Sequence, residues 1–320
     1  MPKEKPVVLL VERIHPKYHA LLEKRCRIVK PVGFTEDEMA QSARDVDAIL
    51  IRTRGCISAK VIAAAPRLRV IARHGVGVDH IDVPAAAERG IPVVYTPAGS
   101  LTAVAEHTWM MILALAKHTR PGDHAVRTCD YEQRSRGENF ELEGKTLGVL
   151  GLGRIGGRVA EIAHLGFRMN VLYTDLLRYP AKERKLKARK VSIKLLLQRS
   201  EVLTIHVPLT RWTRGMIGRE EIALLQPHAL LINCARGAIL DTVAAAEALA
   251  AGQLGGVGVD VFDPEIPPAD HPLLKCDAAI LSPHNAAQTA EARLNYAGVV
   301  LDLLRVLDGK KPEFVAQPEE

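Results

Sequence analysis

Residues 145–175 restrict the fold of this chain more than any other stretch. Lys145–Leu150 is a short apolar run with branched residues, the pattern of a buried parallel strand. It leads into Gly151-Leu152-Gly153-Arg154-Ile155-Gly156. Beyond that turn Ile155, Val159, Ile162, Ala163 and Leu165 recur at helical spacing, and Gly166 marks the expected helix stop. A second strand-like run, Asn170–Thr174, ends on Asp175. Strand, glycine turn, helix, strand and acid in that order require a parallel βαβ unit, and they form the dinucleotide-binding fingerprint.

Each part has a physical reason. Gly151 permits a tight turn, Gly153 lets the backbone approach a pyrophosphate, and Gly156 lets helix and strand pack closely. Arg154 and Ile155 open the helix, whose unpaired amides and positive dipole end suit phosphates. Asp175 suits ribose hydroxyls, and its charge repels the extra phosphate of NADP. NAD is therefore the expected cofactor and NADP the lesser candidate, with Arg178 and Lys182 close enough to weaken the distinction.

A chain of 320 residues has room for two domains. Its 43 basic and 37 acidic residues give +6, which suits an anionic ligand without singling out nucleic acid. The basic stretch Lys182–Lys194 lacks interleaved aromatics and reads as a solvated helix face. No apolar run reaches the roughly 18 residues of a membrane span, and the first residues do not read as a leader, so a cytoplasmic protein is expected. The five cysteines are scattered without a CxxC pair, so neither a disulfide framework nor a metal site is expected.

Strand patterns at Pro6–Val11, Cys26–Val29, Asp47–Ile51, Leu68–Ala72 and Ile91–Tyr95 make the first 95 or so residues an α/β unit of their own. Helices are expected over Tyr18–Glu23 and from Ser58 to Ala65. Pro97–Ser100 reads as a hinge and Thr102–Lys117 as a long apolar helix suited to an interface. Arg120–Gly144 reads as weakly structured. Further strands are expected at Val202–His206, Ala229–Asn233 and Gly256–Asp260, each ending in a polar loop. In an open parallel sheet such loops line one site.

Four loop segments carry groups fit for chemistry: His74–Gly77, Asn233–Gly237, Asp260–Glu265 and Ser282–Asn285. Together with the fingerprint, Val104–His107 and His206–Thr210, they resemble the D-2-hydroxyacid dehydrogenase family, most closely its phosphoglycerate dehydrogenase-like branch. The resemblance runs in order over nearly the whole chain. It implies a Rossmann-type doubly wound domain over 99–287, and a smaller flavodoxin-like substrate domain over 1–98 and 288–320. It also implies a homodimer, and an active site in the cleft between domains that closes on the substrate.

The same resemblance assigns roles. Arg236 would hold the carboxylate and 2-oxo group of a small anionic 2-hydroxy or 2-keto acid with its planar fork. His284 would donate or accept the proton, and Glu265 would pair with it and stabilise the imidazolium. Asp260 would orient the nicotinamide carboxamide. Val104, His206, Val207, Pro208, Cys234 and Ala235 would line the cofactor. Amides of Val76 and Gly77 would bind the substrate carboxylate. Arg52, with Arg54 and Arg73, could receive a second anion or be solvated loop charges. His74, His80 and His107 read as structural.

Two departures bear on this. Asn285–Gln288 differs from the glycine-rich form of many phosphoglycerate dehydrogenases, and the chain ends at 320, so serine feedback through a regulatory domain is not expected. The alternatives are a phosphite or formate dehydrogenase on the same fold, against whose formate type Glu265 argues, and an NAD-responsive corepressor of the C-terminal binding protein type.

Overall fold

The computed structural model describes residues 4–135 and 139–317. The chain forms two compact units, Met1–Ser100 with Gln288–Glu320, and Leu101–Ala287.

The first unit alternates strand and helix: β1 (Val7–Leu10), α1 (Pro16–Arg25), β2 (Arg27–Val29), α2 (Glu36–Ala43), β3 (Ala48–Ile51), α3 (Ala59–Ala63), β4 (Val70–Arg73), α4 (Val83–Glu88) and β5 (Val93–Val94). All five strands are parallel in the order β2-β1-β3-β4-β5. Strands β1 and β3 are buried along their length, as continuous apolar runs must be when helices cover both faces of a sheet. Helix α2 has no counterpart in the apolar pattern, because its first turn is three acids. It is started by a capping box in which Thr35 and Glu38 satisfy each other's backbone amides.

The second unit opens with α5 (Leu101–Ala116) and α6 (Thr119–Arg127), then β6 (Thr146–Leu150), α7 (Arg154–Phe167), β7 (Asn170–Thr174), α8 (Pro180–Leu186), β8 (Arg189–Lys190), α9 (Ile193–Arg199) and β9 (Val202–Ile205). It continues with α10 (Arg219–Ile222), β10 (Leu230–Asn233), α11 (Thr242–Ala250), β11 (Gly256–Val259) and β12 (Ala279–Leu281). Its seven strands are parallel in the order β12-β11-β10-β9-β6-β7-β8. This is the doubly wound arrangement expected from the fingerprint.

Three local expectations need correction. The stretch 120–144 is not unstructured at its start, since α6 tolerates Pro121 in its first turn, where a missing amide costs no helix bond. The basic stretch is a helix, an edge strand and a second helix; the exposed Arg189 and Lys190 of β8 put charge where an edge must discourage further pairing. Helix α7 runs one residue past Gly166 and stops at Arg168, which adopts the left-handed conformation at φ 52°.

Helix α5 turns its apolar composition inward. Trp109 stacks on Phe167 and donates its indole N–H to the Val159 carbonyl, so packing within the unit accounts for the apolar run. The chain then returns to the first unit as α12 (Ala290–Ala297) and α13 (Val299–Leu307), joined at Gly298. Val299, Val300, Leu303 and Leu304 of α13 pack on Val8, Leu10, Leu50 and Val70 of the first sheet. No helix among the described residues is long and apolar enough to cross a membrane.

Candidate active site

Because all seven strands of the second sheet are parallel, the segments after β6, β7, β9, β10, β11 and β12 emerge at one edge. That edge holds the glycine turn, Asp175, His206–Pro208, Cys234–Arg236, Asp260, Glu265 and His284.

At the glycine turn Gly151 has φ 94°, and a Cβ there would lie 2.8 Å from the His206 carbonyl oxygen. A Cβ on Gly156 would lie 2.0 Å from the Gly151 oxygen, so helix and turn touch backbone to backbone. A Cβ on Gly153 would meet nothing within 4 Å. The turn is thus packed on two glycines and open on the third, where a phosphate can approach an uncapped helix N-terminus. The residues present fit a dinucleotide. Asp175, at the end of β7, accepts hydrogen bonds from the Leu152 amide at 2.8 Å and the Leu177 amide at 3.0 Å. It shapes the turn.

His206 lies beside the turn, its Nε2 2.8 Å from the Thr204 hydroxyl, and burial lowers its pKa to about 3. Cys234 is buried, with its thiol pushed up to about 12 by that burial, which suits a wall and not a nucleophile. Val104 lies in the same core cluster as Cys234 and Leu152, behind the turn.

Arg236 is positioned by Asn233, a buried side chain that the sequence reading passed over. Its amide donates to the Arg236 carbonyl at 2.9 Å, and its oxygen accepts from the Ala235 amide at 3.0 Å. A Cβ on Gly237 would fall 2.1 Å from the Phe262 carbonyl. Glycine there brings the Arg236 turn against the segment that leads to Glu265.

Asp260 is only 1% exposed and organises the loop that follows β12. Its carbonyl accepts from the His284 amide at 2.7 Å, Oδ1 from the Ser282 hydroxyl at 2.5 Å and the Asn285 amide at 2.9 Å, and Oδ2 from the Ala286 amide at 3.1 Å. His107 closes the network, with Nε2 2.9 Å from Ser282 Oγ. Burial lowers the His107 pKa, against the opposing pull of Asp260. So held, His284 adopts φ 50°, a strained value for a non-glycine residue. Its Nδ1 lies 2.6 Å from Glu265 Oε1, with the two side chains 47% and 60% exposed. The Asp260 carboxylate, expected only at the cofactor, is thus also the anchor of the histidine loop.

In the first unit, Arg52 follows β3 and donates from Nη2 to Gln288 at 2.9 Å. Val76 and Gly77 follow β4 on a loop wound round Arg73, which donates to the carbonyls of Gly77 at 2.5 Å, His74 at 2.9 Å and Arg52. Arg73 shapes the loop and is not a solvated charge. Arg54 lies over the Phe34 ring at 5.3 Å. His74 is 4% exposed with both ring nitrogens lacking a hydrogen-bond partner among the described residues. No group of three or more His, Cys, Asp or Glu among the described residues could hold a metal ion.

A parallel sheet whose central strand feeds a glycine turn, with an acid ending the next strand, defines a dinucleotide-binding α/β unit. Residues 109–286 match the family model described as D-isomer specific 2-hydroxyacid dehydrogenase, NAD binding domain. A glyoxylate reductase from Aeropyrum pernix is 37% identical over 321 residues, covering 97% of this chain and 95% of that one. A D-3-phosphoglycerate dehydrogenase from Methanocaldococcus jannaschii is 38% identical over 315 residues, 96% of this chain, but the match spans only 59% of that relative's length. Among solved structures, D-lactate dehydrogenase from Aquifex aeolicus, complexed with NAD and lactic acid, superposes with a TM-score of 0.85 at 29% identity, covering 98% of this chain and all of that one. The chain belongs to the D-isomer specific 2-hydroxyacid dehydrogenase family, and NAD is the cofactor of its second unit.

Proposed function

We propose that the protein is an NAD-dependent oxidoreductase interconverting a small D-2-hydroxy acid and its 2-keto acid. The observation that carries this reading is the 2.6 Å contact of His284 Nδ1 with Glu265, at the sheet edge that also bears the open glycine turn. When bound there, NADH supplies the hydride for keto-acid reduction.

With Nδ1 engaged by Glu265, Nε2 of His284 is the atom that gives its proton to the keto oxygen, and the nearby carboxylate stabilises the imidazolium. In alcohol oxidation Nε2 takes the proton back. Arg236, on a turn fixed by Asn233, grips the carboxylate and 2-oxo group with its planar donors. Amides of Val76 and Gly77 add donors for the substrate carboxylate, and Arg52 reads what lies beyond the second carbon. Hydroxypyruvate, glyoxylate and phosphohydroxypyruvate are the substrates these groups suit. The protein acts as a cytoplasmic homodimer in this reading, which light scattering of the purified chain would check.

The test is NADH consumption against hydroxypyruvate, glyoxylate, pyruvate, phosphohydroxypyruvate and sulfopyruvate. Turnover of one supports the proposal. Silence on all five, with NADH still bound, overturns it in favour of an NAD-binding interaction module.

A further inference from the structure

Resting on the glycine turn as the dinucleotide site, we propose that Lys182 is a coenzyme-specificity residue, a cation built into the turn that offsets Asp175 and admits NADPH as well as NADH.

An acid at the end of the second strand ordinarily discriminates by its charge, which repels a 2′-phosphate. Here a cation is held on the same stretch of backbone. Asp175 accepts from the Leu152 amide at 2.8 Å, while Lys182 Nζ donates to the Leu152 carbonyl at 2.7 Å and the Gly153 carbonyl at 2.5 Å. Leu152 is therefore gripped on its N–H by the anion and on its C=O by the cation. The ammonium also lies 4.6 Å from the centre of the Tyr179 ring, whose hydroxyl pKa is raised by burial and by the Asp175 charge. Two carbonyls use two of the three ammonium N–H groups, which leaves a donor for a ligand oxygen.

The sequence makes room for this lysine. A Cβ on Gly157 would fall 2.6 Å from Lys182 Nζ and 3.0 Å from its Cε. The fingerprint requires Gly156 but not Gly157, so this second glycine is explained by the lysine it accommodates. Arg178, the cation that follows Asp175 most closely in the chain, is diverted: its Nε donates to both oxygens of Glu183, at 3.0 and 3.2 Å.

The placement is costly without a ligand. A cation beside a helix N-terminus opposes the helix dipole. Burial lowers the Lys182 pKa, with Arg154 adding to that effect and Asp175 opposing it. An arriving phosphate reverses both penalties.

The experiment measures equilibrium Kd for NADH and NADPH on the full chain, by fluorescence, for the wild type, K182M, G157A and the double variant, with Tm as the folding control. The wild type is expected to bind the two coenzymes within about tenfold of each other. K182M should weaken NADPH by about tenfold more than NADH, the scale of one charge-assisted hydrogen bond. G157A should do the same by crowding the ammonium, and the double variant should match K182M, because the two changes remove one interaction. Equal weakening of both coenzymes, or a wild type that rejects NADPH by about a thousandfold, overturns the inference and leaves the NAD site intact. A wild type that binds neither coenzyme overturns the dinucleotide reading, and the inference with it.

Discussion

The two parallel sheets each reverse their strand order once, between β1 and β3 in the first unit and between β6 and β9 in the second. Open α/β sheets bind ligands at such points, yet the residues there differ in kind. At the second, Gly151 and Gly156 are packed against backbone while Gly153 faces open space. At the first, the Glu12 carboxylate fills the crevice, accepting from the Thr53 amide, the Thr53 hydroxyl at 2.7 Å and the Arg54 amide at 2.9 Å. Burial alone would raise the Glu12 pKa, but these hydrogen bonds bring it below the ordinary value. The neighbouring loop, Gly75 to Gly77, closes on the Arg73 guanidinium of its own chain. The same architecture thus offers two crevices, and one is occupied from within.

The largest effect should follow from removing the proton donor. H284A is expected to lower kcat by a factor of about 100 to 10,000 while leaving the Kd for NADH near the wild-type value; equal loss of both would make the histidine structural. Next comes the packed glycine of the open turn. G156A places a Cβ 2.0 Å from the Gly151 oxygen, so it should lose about 1–3 kcal/mol in chemical denaturation and most NADH binding together. R73M sharpens the contrast from the other side. Removing the guanidinium that holds the Gly77 and His74 carbonyls should raise KM for the keto acid about tenfold, at unchanged NADH affinity.

A separate effect, confined to acid pH, concerns stability. Burial, the largest cause, depresses the His74 pKa from 6.5 to about 4, and that of His206 to about 3. The unfolded chain takes up these protons as pH falls below 6.5 and the folded chain does not. Stability from these groups is therefore complete above 6.5 and declines as pH falls toward the folded values. For His74 the slope is about 1.4 kcal/mol per pH unit. H74L should flatten the decline between pH 6.5 and 4 in urea titrations; an unchanged slope would remove His74 from this role.

Much of the second unit was readable because its elements announce themselves. Buried parallel strands are continuous apolar runs, and the glycine turn has fixed offsets from the strand before and the acid after. The loops bearing Arg236, Glu265 and His284 could be assigned to one edge once those strands were recognised. Helix α2 was missed because its three leading acids mask the apolar face of Met39, Ala40 and Ala43, although Thr35 and Glu38 carry the capping signal. The anchoring of residues 284–286 by Asp260, and the winding of a loop round Arg73, join groups whose pairing no local pattern encodes. They depend on which strands become neighbours.

The contrast between the two crevices is tested most directly by one paired measurement, Tm and NADH Kd for G153A and G75A. G153A adds a methyl group into open space and needs no positive φ, so it should keep a Tm nearer the wild type than G75A does and lose NADH affinity. G75A, at φ 154° and 3.0 Å from the Arg73 guanidinium, should lose Tm and keep NADH affinity. The opposite pattern, with NADH binding lost at Gly75 and retained at Gly153, would contradict the account.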